Sequence, residues 1–190
     1  MIDLDLKADI GELRMEDFSA QQITGTIRLK DQQLAISPLA FSTAGGTVNG
    51  SLRLDGTVAD AYPLAIDADL KGIKVTKLFS EFQEFGQTFI THTEIKGTGD
   101  AQLTFTSPLR PDFSLDEDKL HCVANVVLNH GELNNHPSLM AVADHLQKNK
   151  LVSPFVDVEA LRTQFRHVTF ARLENRIEIK DRQVHLPLMT

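Results

Sequence analysis

A chain of 190 residues with 42% apolar side chains is long and oily enough to bury a core, which excludes wholesale disorder. Its net charge of -7 argues against a nucleic-acid partner, and polybasic runs for anionic membrane surfaces are absent. The single cysteine, Cys122, excludes an intrachain disulfide and a four-cysteine zinc site, and within CVANVVL it reads as a buried, inert thiol.

The chain opens in a period of two. Ile2, Leu4, Leu6, Ala8 and Ile10 alternate with Asp3, Asp5, Lys7 and Asp9, which puts one set on each face of a strand. The next stretch, IRLKDQQLAI from Ile27, continues that phase. Ile27 and Leu29 point one way, Asp31 and its polar neighbours turn the chain, and Leu34 and Ile36 resume the pattern. No Asn-Gly or Asp-Gly fixes the turn type. Ala44-Gly45-Gly46 predicts another hairpin turn, Thr47–Leu54 the returning strand, and Asp55-Gly56 its close.

Further strands are predicted at Leu64–Leu70, Glu94–Phe105, Lys119–Leu128 and Val168–Leu173. Pro38, Pro108 and Pro187 are placed near strand ends, where a missing amide does least harm, and Gly97 and Gly99 mark a bend or bulge. Two segments break the period. VTKLFSEFQEFG sets Val75, Leu78, Phe79, Phe82 and Phe85 at helical spacing, with Thr76 as a start cap and Gly86 as a stop. NHPSLMAVADHLQKNK offers Pro137 in a first turn and an apolar stripe through Leu139, Met140, Ala143 and Leu146. A third helical turn falls around Val158–Phe165, and Asp112–Lys119 reads as an exposed acidic loop.

IEIKDRQVHL, from Ile177, repeats the hairpin of IRLKDQQLAI: Ile177, Ile179, Val184 and Leu186 stand where Ile27, Leu29, Leu34 and Ile36 stood. Repetition of one hairpin points to growth by like strand units. The expected fold is mainly β with some helix (α+β). It is a curved antiparallel sheet of repeated hairpins, with two or three short helices packed on or capping the concave face. No strand–helix alternation supports a parallel sheet. Residues 1–190 are expected to form one domain. Because the chain begins and ends in strand pattern, it is expected to be part of a longer protein.

Chemistry leaves few marks. The seven histidines lack the spacing that aims two imidazoles at one metal, and His121, His130, His136 and His145 read as surface or capping residues. There is no G-x-S-x-G, and AGGTVNG leads into a strand where a phosphate cradle needs a helix. Asp116, Glu117 and Asp118 lack the alternating oxygen ligands of a calcium loop. No catalytic residue, metal or cofactor is expected, and the chain does not read as an enzyme. No apolar run approaches the roughly 20 residues of a spanning helix.

The clue lies in the apolar inventory. Many strands carry one face of Leu, Ile, Val and Ala, aromatics are 6%, and Trp is absent. Such a face must be covered by helices, by closure of the sheet on itself, or by a bound apolar ligand. Lipid tails suit an aliphatic trough. At about 0.8 kcal/mol per methylene, one acyl chain offers on the order of 10 kcal/mol before ordering costs. The Phe79, Phe82 and Phe85 stripe reads first as core.

The order of blocks, from KADIGELRMEDFSAQQITGTIRLKDQQLAISPLAFSTAGGTVNGSLRLDG through LNHGELNNHPSLMAVADHL to IEIKDRQVHLPLM, resembles the C-terminal region of AsmA-family proteins of the Bacteroidetes type. These are similar to TamB and to the repeating-β-groove lipid transfer proteins. The resemblance implies a periplasmic envelope domain, held at the inner membrane in the full-length protein by an N-terminal anchor that is expected to lie outside this stretch. It also implies a role in outer-membrane assembly or phospholipid transport, with other envelope proteins as further partners. It carries no catalytic motif. The groove candidates are Leu4, Leu6, Ile27, Leu29, Leu34, Ile36, Phe79, Phe82, Ile177, Ile179, Val184 and Leu186. The rival expectation is a scaffold module that pairs other strands along its exposed sheet edges.

Overall fold

The computed structural model describes residues 3–151 and 154–186. The strand character read at Ile2 and in the closing PLMT, Pro187 included, lies outside them.

Nine strands follow one another in a single curved antiparallel sheet, each hydrogen-bonded to its neighbour in sequence. They are β1 (Leu4–Met15), β2 (Phe18–Lys30), β3 (Gln33–Thr43), β4 (Gly46–Asp55), β5 (Tyr62–Lys74), β6 (Ile95–Leu109), β7 (His121–Asn134), β8 (His167–Lys180) and β9 (Gln183–His185). The alternation that marked strands in the sequence is the reason for the meander: each hairpin places its apolar set beside the preceding one.

Both copies of the repeated hairpin form two-residue turns with both central residues left-handed. Asp31 and Gln32 have φ of 49° and 64°, and Asp181 and Arg182 have 52° and 58°. That is the primed geometry whose twist matches paired strands. Ala44-Gly45 turns the same way, at 47° and 78°.

One expectation about the strands needs correction. Pro38 is interior to β3 rather than at its end, and the sheet accommodates it by a register shift between Ile36 and Leu39. A residue without an amide donor is tolerated where the ladder is already interrupted. The bend at Gly97 does form, with a register shift between Lys96 and Thr98.

The alternating directions give the sheet two distinct ends. Turns 31–32, 56–61, 110–120 and 181–182 lie at one, the turn end. Turns 16–17 and 44–45 and, among the described residues, the α-helices lie at the other, the helical end. Helix α1 (Val75–Glu81) follows β5. It is shorter than its apolar spacing predicts. Lys74 stands at its N-cap position, while the Thr76 hydroxyl donates to the Ile95 carbonyl instead. Gln83, Glu84 and Phe85 are left-handed, at φ of 49°, 57° and 53°, so the helix stops at Glu81 and Phe85 leaves its stripe.

Helices α2 (Pro137–Lys148) and α3 (Val158–Arg166) form a hairpin between β7 and β8. His136 caps α2 through Nδ1, which accepts from the Ser138 amide, and Asp157 caps α3 by accepting from Ala160. Arg162 ties the two helices through Asp144 at 2.7 Å.

The core is small and lies under α1. Ala44, Val48 and Ile73 are buried, with Phe41, Ala68, Leu70 and Leu78 packed around them. The whole chain exposes 12768 Å², against about 9,000 Å² for a compact monomer of this length.

Candidate functional site

Residues opposite one another in a ladder share a face, so the register defines the surface directly. One row crosses every strand: Leu6, Ile27, Ile36, Leu52, Ile66, Phe105, Cys122, Ile179 and Val184. Toward the turn end runs Leu4, Leu29, Leu34, Leu54 and Leu64, closing at Ser107. Toward the helical end runs Ala8, Gly25, Leu39, Gly50, Ala68, Leu103, Ala124 and Ile177. At about 4.8 Å between strands, the nine-strand row is about 38 Å long.

The sheet folds toward this face between β4 and β5. A Cβ added at Gly50 would stand 2.1 Å from the Asp67 carbonyl oxygen, and one at Gly46 would stand 2.3 Å from that of Lys71. Only glycine lets the two backbones approach that closely.

Little of the chain covers the face. Helix α1 packs on β5 and β6 at the helical end, and α3 touches β7 and β8 there. Elsewhere, among the described residues, no helix packs on the aliphatic side chains. Ile27, Ile36, Leu52, Ile66, Phe105, Ile177 and Ile179 are half-buried, and Leu4, Leu6, Ile10 and Val184 are exposed. Cys122 is buried within the row, and burial pushes its thiol above the usual range.

The opposite face is polar. Asp5, Arg28, Arg53, Thr106, His121 and Lys180 share one of its rows, and Asp9, Asn49, Asp69, Gln102, Asn125 and Arg176 another. Two shallow hollows of about 460 and 490 Å³ open on it, the first lined by Ser51, Asp67, Asp69, Gln102, Thr104 and Asn125. Some of its charged groups are engaged in surface pairs: Arg28 meets Asp5 at 3.1 Å, and His121 meets Glu178 at 3.0 Å, a hydrogen bond that holds that carboxyl below its usual range. No group of three metal-ligating side chains occurs among the described residues.

The sequence-derived candidates separate into two sets. Leu4, Leu6, Ile27, Leu29, Leu34, Ile36, Ile177, Ile179 and Val184 all stand on the aliphatic face, although the two hairpin copies lie toward opposite edges of the sheet. Phe79 and Phe82 lie at the helical end in an aromatic cluster: Phe79 meets Phe85 edge-on at 5.3 Å, and Phe82 meets Phe18 at 5.6 Å. Leu186 follows β9 outside the ladder and is exposed. The candidate list omitted the middle of the face, where Leu52, Ile66, Leu103 and Phe105 continue the same rows. Their signal was the same alternation, in strands without the repeated turn.

Of the two readings given for the histidines, surface or capping, His136 takes the second, and it is buried. Its Nε2 pairs with the Phe89 carbonyl at 2.9 Å while Nδ1 caps α2. The loop 110–120 is also less open than its acidity suggests. Asp116 pairs with Arg110 at 3.0 Å and Lys119 at 3.3 Å. Desolvation pushes its carboxyl up, and the cationic partners outweigh it, leaving the group below its usual range.

No family model, curated protein or solved structure matches this chain. No helix among the described residues is long and apolar enough to cross a membrane.

Proposed function

We propose that the aliphatic sheet face binds lipid acyl chains, and that the chain is a non-enzymatic, periplasmic, AsmA-like envelope domain that holds or conducts phospholipid. The supporting observation is the nine-strand aliphatic row over most of whose length no helix packs among the described residues. Exposed apolar patches of this extent mark a binding surface. The row's length of about 38 Å exceeds the roughly 15 Å that one leaflet's hydrocarbon occupies in a bilayer. Aliphatic walls recognise a chain by area rather than by directed contacts, so the reading needs no polar constellation. Inner-membrane attachment and a role in outer-membrane assembly belong to the same proposal and rest on the family resemblance.

The test is lipid recovery. Protein purified from a Gram-negative envelope extract is expected to carry phospholipid by mass spectrometry. Ile66→Asp and Leu29→Asp, with circular dichroism unchanged, are expected to carry at least tenfold less. Lipid-free wild-type protein would remove the reading.

A second reading rests on β1. It is an edge strand of twelve residues, Leu4–Met15, paired only with β2 among the described residues. A strand of another protein could add there. Proline at outward-pointing amides of β1 would abolish such pairing and leave lipid recovery intact.

A further inference from the structure

Among the described residues His136 is the only buried histidine, at 3% exposed. It stands where several segments meet. The Asn134 and Asn135 amides just before it donate to the Glu94 and Arg166 carbonyls, which brings the segment after α1 and the end of α3 to the start of α2. Both ring nitrogens are engaged. Nδ1 accepts from the Ser138 amide at 3.3 Å and so carries no proton. The ring's one proton is then on Nε2, which donates to the Phe89 carbonyl at 2.9 Å. The Phe89 ring meets the imidazole edge-on at 4.9 Å. The partners thus fix one neutral tautomer.

A second proton has no place in this seat. It would enter at Nδ1 against the Ser138 N–H, so that two donors face each other. It would also charge a buried ring beside the positive end of the α2 dipole. No carboxylate compensates. The titratable and charged groups on the converging segments are Glu84, His92 and Glu94 after α1, Glu132 on β7, Arg166 on α3 and His167 on β8. Glu84 is taken by His92, Glu94 by the Thr91 amide, Glu132 by Lys96 and His167 by Asn134. On α2 itself, Asp144 pairs with Arg162, and His145 and Lys148 lie roughly two to three turns further along. None of these groups pairs with the His136 ring, whose hydrogen-bond partners are Phe89 and Ser138.

We propose that His136 is an acid-sensitive latch: in mildly acid solution its protonation frees the ring from its seat and parts the Phe89 segment from the start of α2. Free imidazole takes up its proton at about pH 6.5, and stability held by a neutral form is present above that range and lost as pH falls. His92, on the same segment, responds the other way. Its partner is the Glu84 carboxylate, so a proton gained there strengthens the contact. Acid therefore loosens the segment at Phe89 and holds it at Glu84. The change is local to the helical end, and it holds whatever the sheet face binds.

The test is an NMR titration of the intact chain from pH 7.5 to 5.5, reading imidazole nitrogen shifts and amide exchange together. At pH 7.5 the His136 ring is expected as the Nε2–H tautomer. Toward pH 5.5 it is expected to gain a proton while the Ser138 amide proton moves upfield and loses about tenfold in protection, corrected for the intrinsic rate. Amides of β3 and β4 are expected to keep theirs. His136→Asn, a helix cap that does not titrate, is expected to abolish the response at Ser138, and His92→Gln to retain it. A His136 ring that stays neutral to pH 5.5, one that protonates with the Ser138 amide unmoved, or an equal response in His136→Asn would each overturn the proposal. The wild-type titration decides the matter even if the asparagine variant misfolds.

Discussion

Gly50 sits where β4 and β5 approach most closely, and its missing side chain allows the sheet to fold over its aliphatic rows. Gly50→Val must push a backbone aside, so a loss of about 1–3 kcal/mol is expected in urea unfolding. Gly11→Val, with nothing within 4 Å of its added Cβ, is expected to stay within about 0.5 kcal/mol. The sequence showed a glycine inside a strand pattern at Gly50, but not which backbone it met, because that neighbour is 17 positions away. Carboxylates give a second test at this scale. Hydrogen bonds from Thr57, His92, Ser114, Lys96 and His121 hold Asp55, Glu84, Asp112, Glu132 and Glu178 below their ordinary values of 3.8 for Asp and 4.5 for Glu. A depressed folded-state pKa adds stability above the unfolded value and loses it as pH falls through the folded one. Melting temperature is therefore expected to hold at neutral pH and to drop from about pH 4.5 downward. Glu84→Gln, which removes one such group, is expected to flatten that drop.

Among the elements, the hairpins were the most legible. A period of two, broken by Asp-Gln or Asp-Arg, located both copies of the repeated turn. It left their type open because neither has the usual glycine. Gln32 and Arg182 are strained in the left-handed region, at roughly 1–2 kcal/mol each against a glycine's flexibility cost of about 0.5–1. Gln32→Gly is accordingly expected to gain about 0.5–1 kcal/mol in urea unfolding. Helix α1 was less legible. Phe82 and Phe85 kept a helical spacing, yet the chain turns left-handed at Gln83, where Glu84 reaches His92 and closes the following loop. That contact spans eight residues and has no periodic trace. Pro38 inside β3 was misplaced for a similar reason: a register shift absorbs it, and shifts are invisible without the partner strand.

At the scale of the molecule, the sequence supplied one-sided strands but not the fate of their shared face. Alternation is equally compatible with closure, with cover by helices, and with an open sheet. Only the placement of α1, α2 and α3 at one end decides among them. The result is a protein whose described residues bury few large side chains fully, and whose chain as a whole exposes well over the area of a compact monomer. The account stands on that uncovered aliphatic face taking up acyl chains, and the most direct measurement is lipid content per protein after envelope extraction and native mass spectrometry. Wild-type protein is expected to retain phospholipid that Ile66→Asp loses while keeping its strand signal. Wild-type protein devoid of phospholipid, or Ile66→Asp carrying as much as wild type, would contradict it.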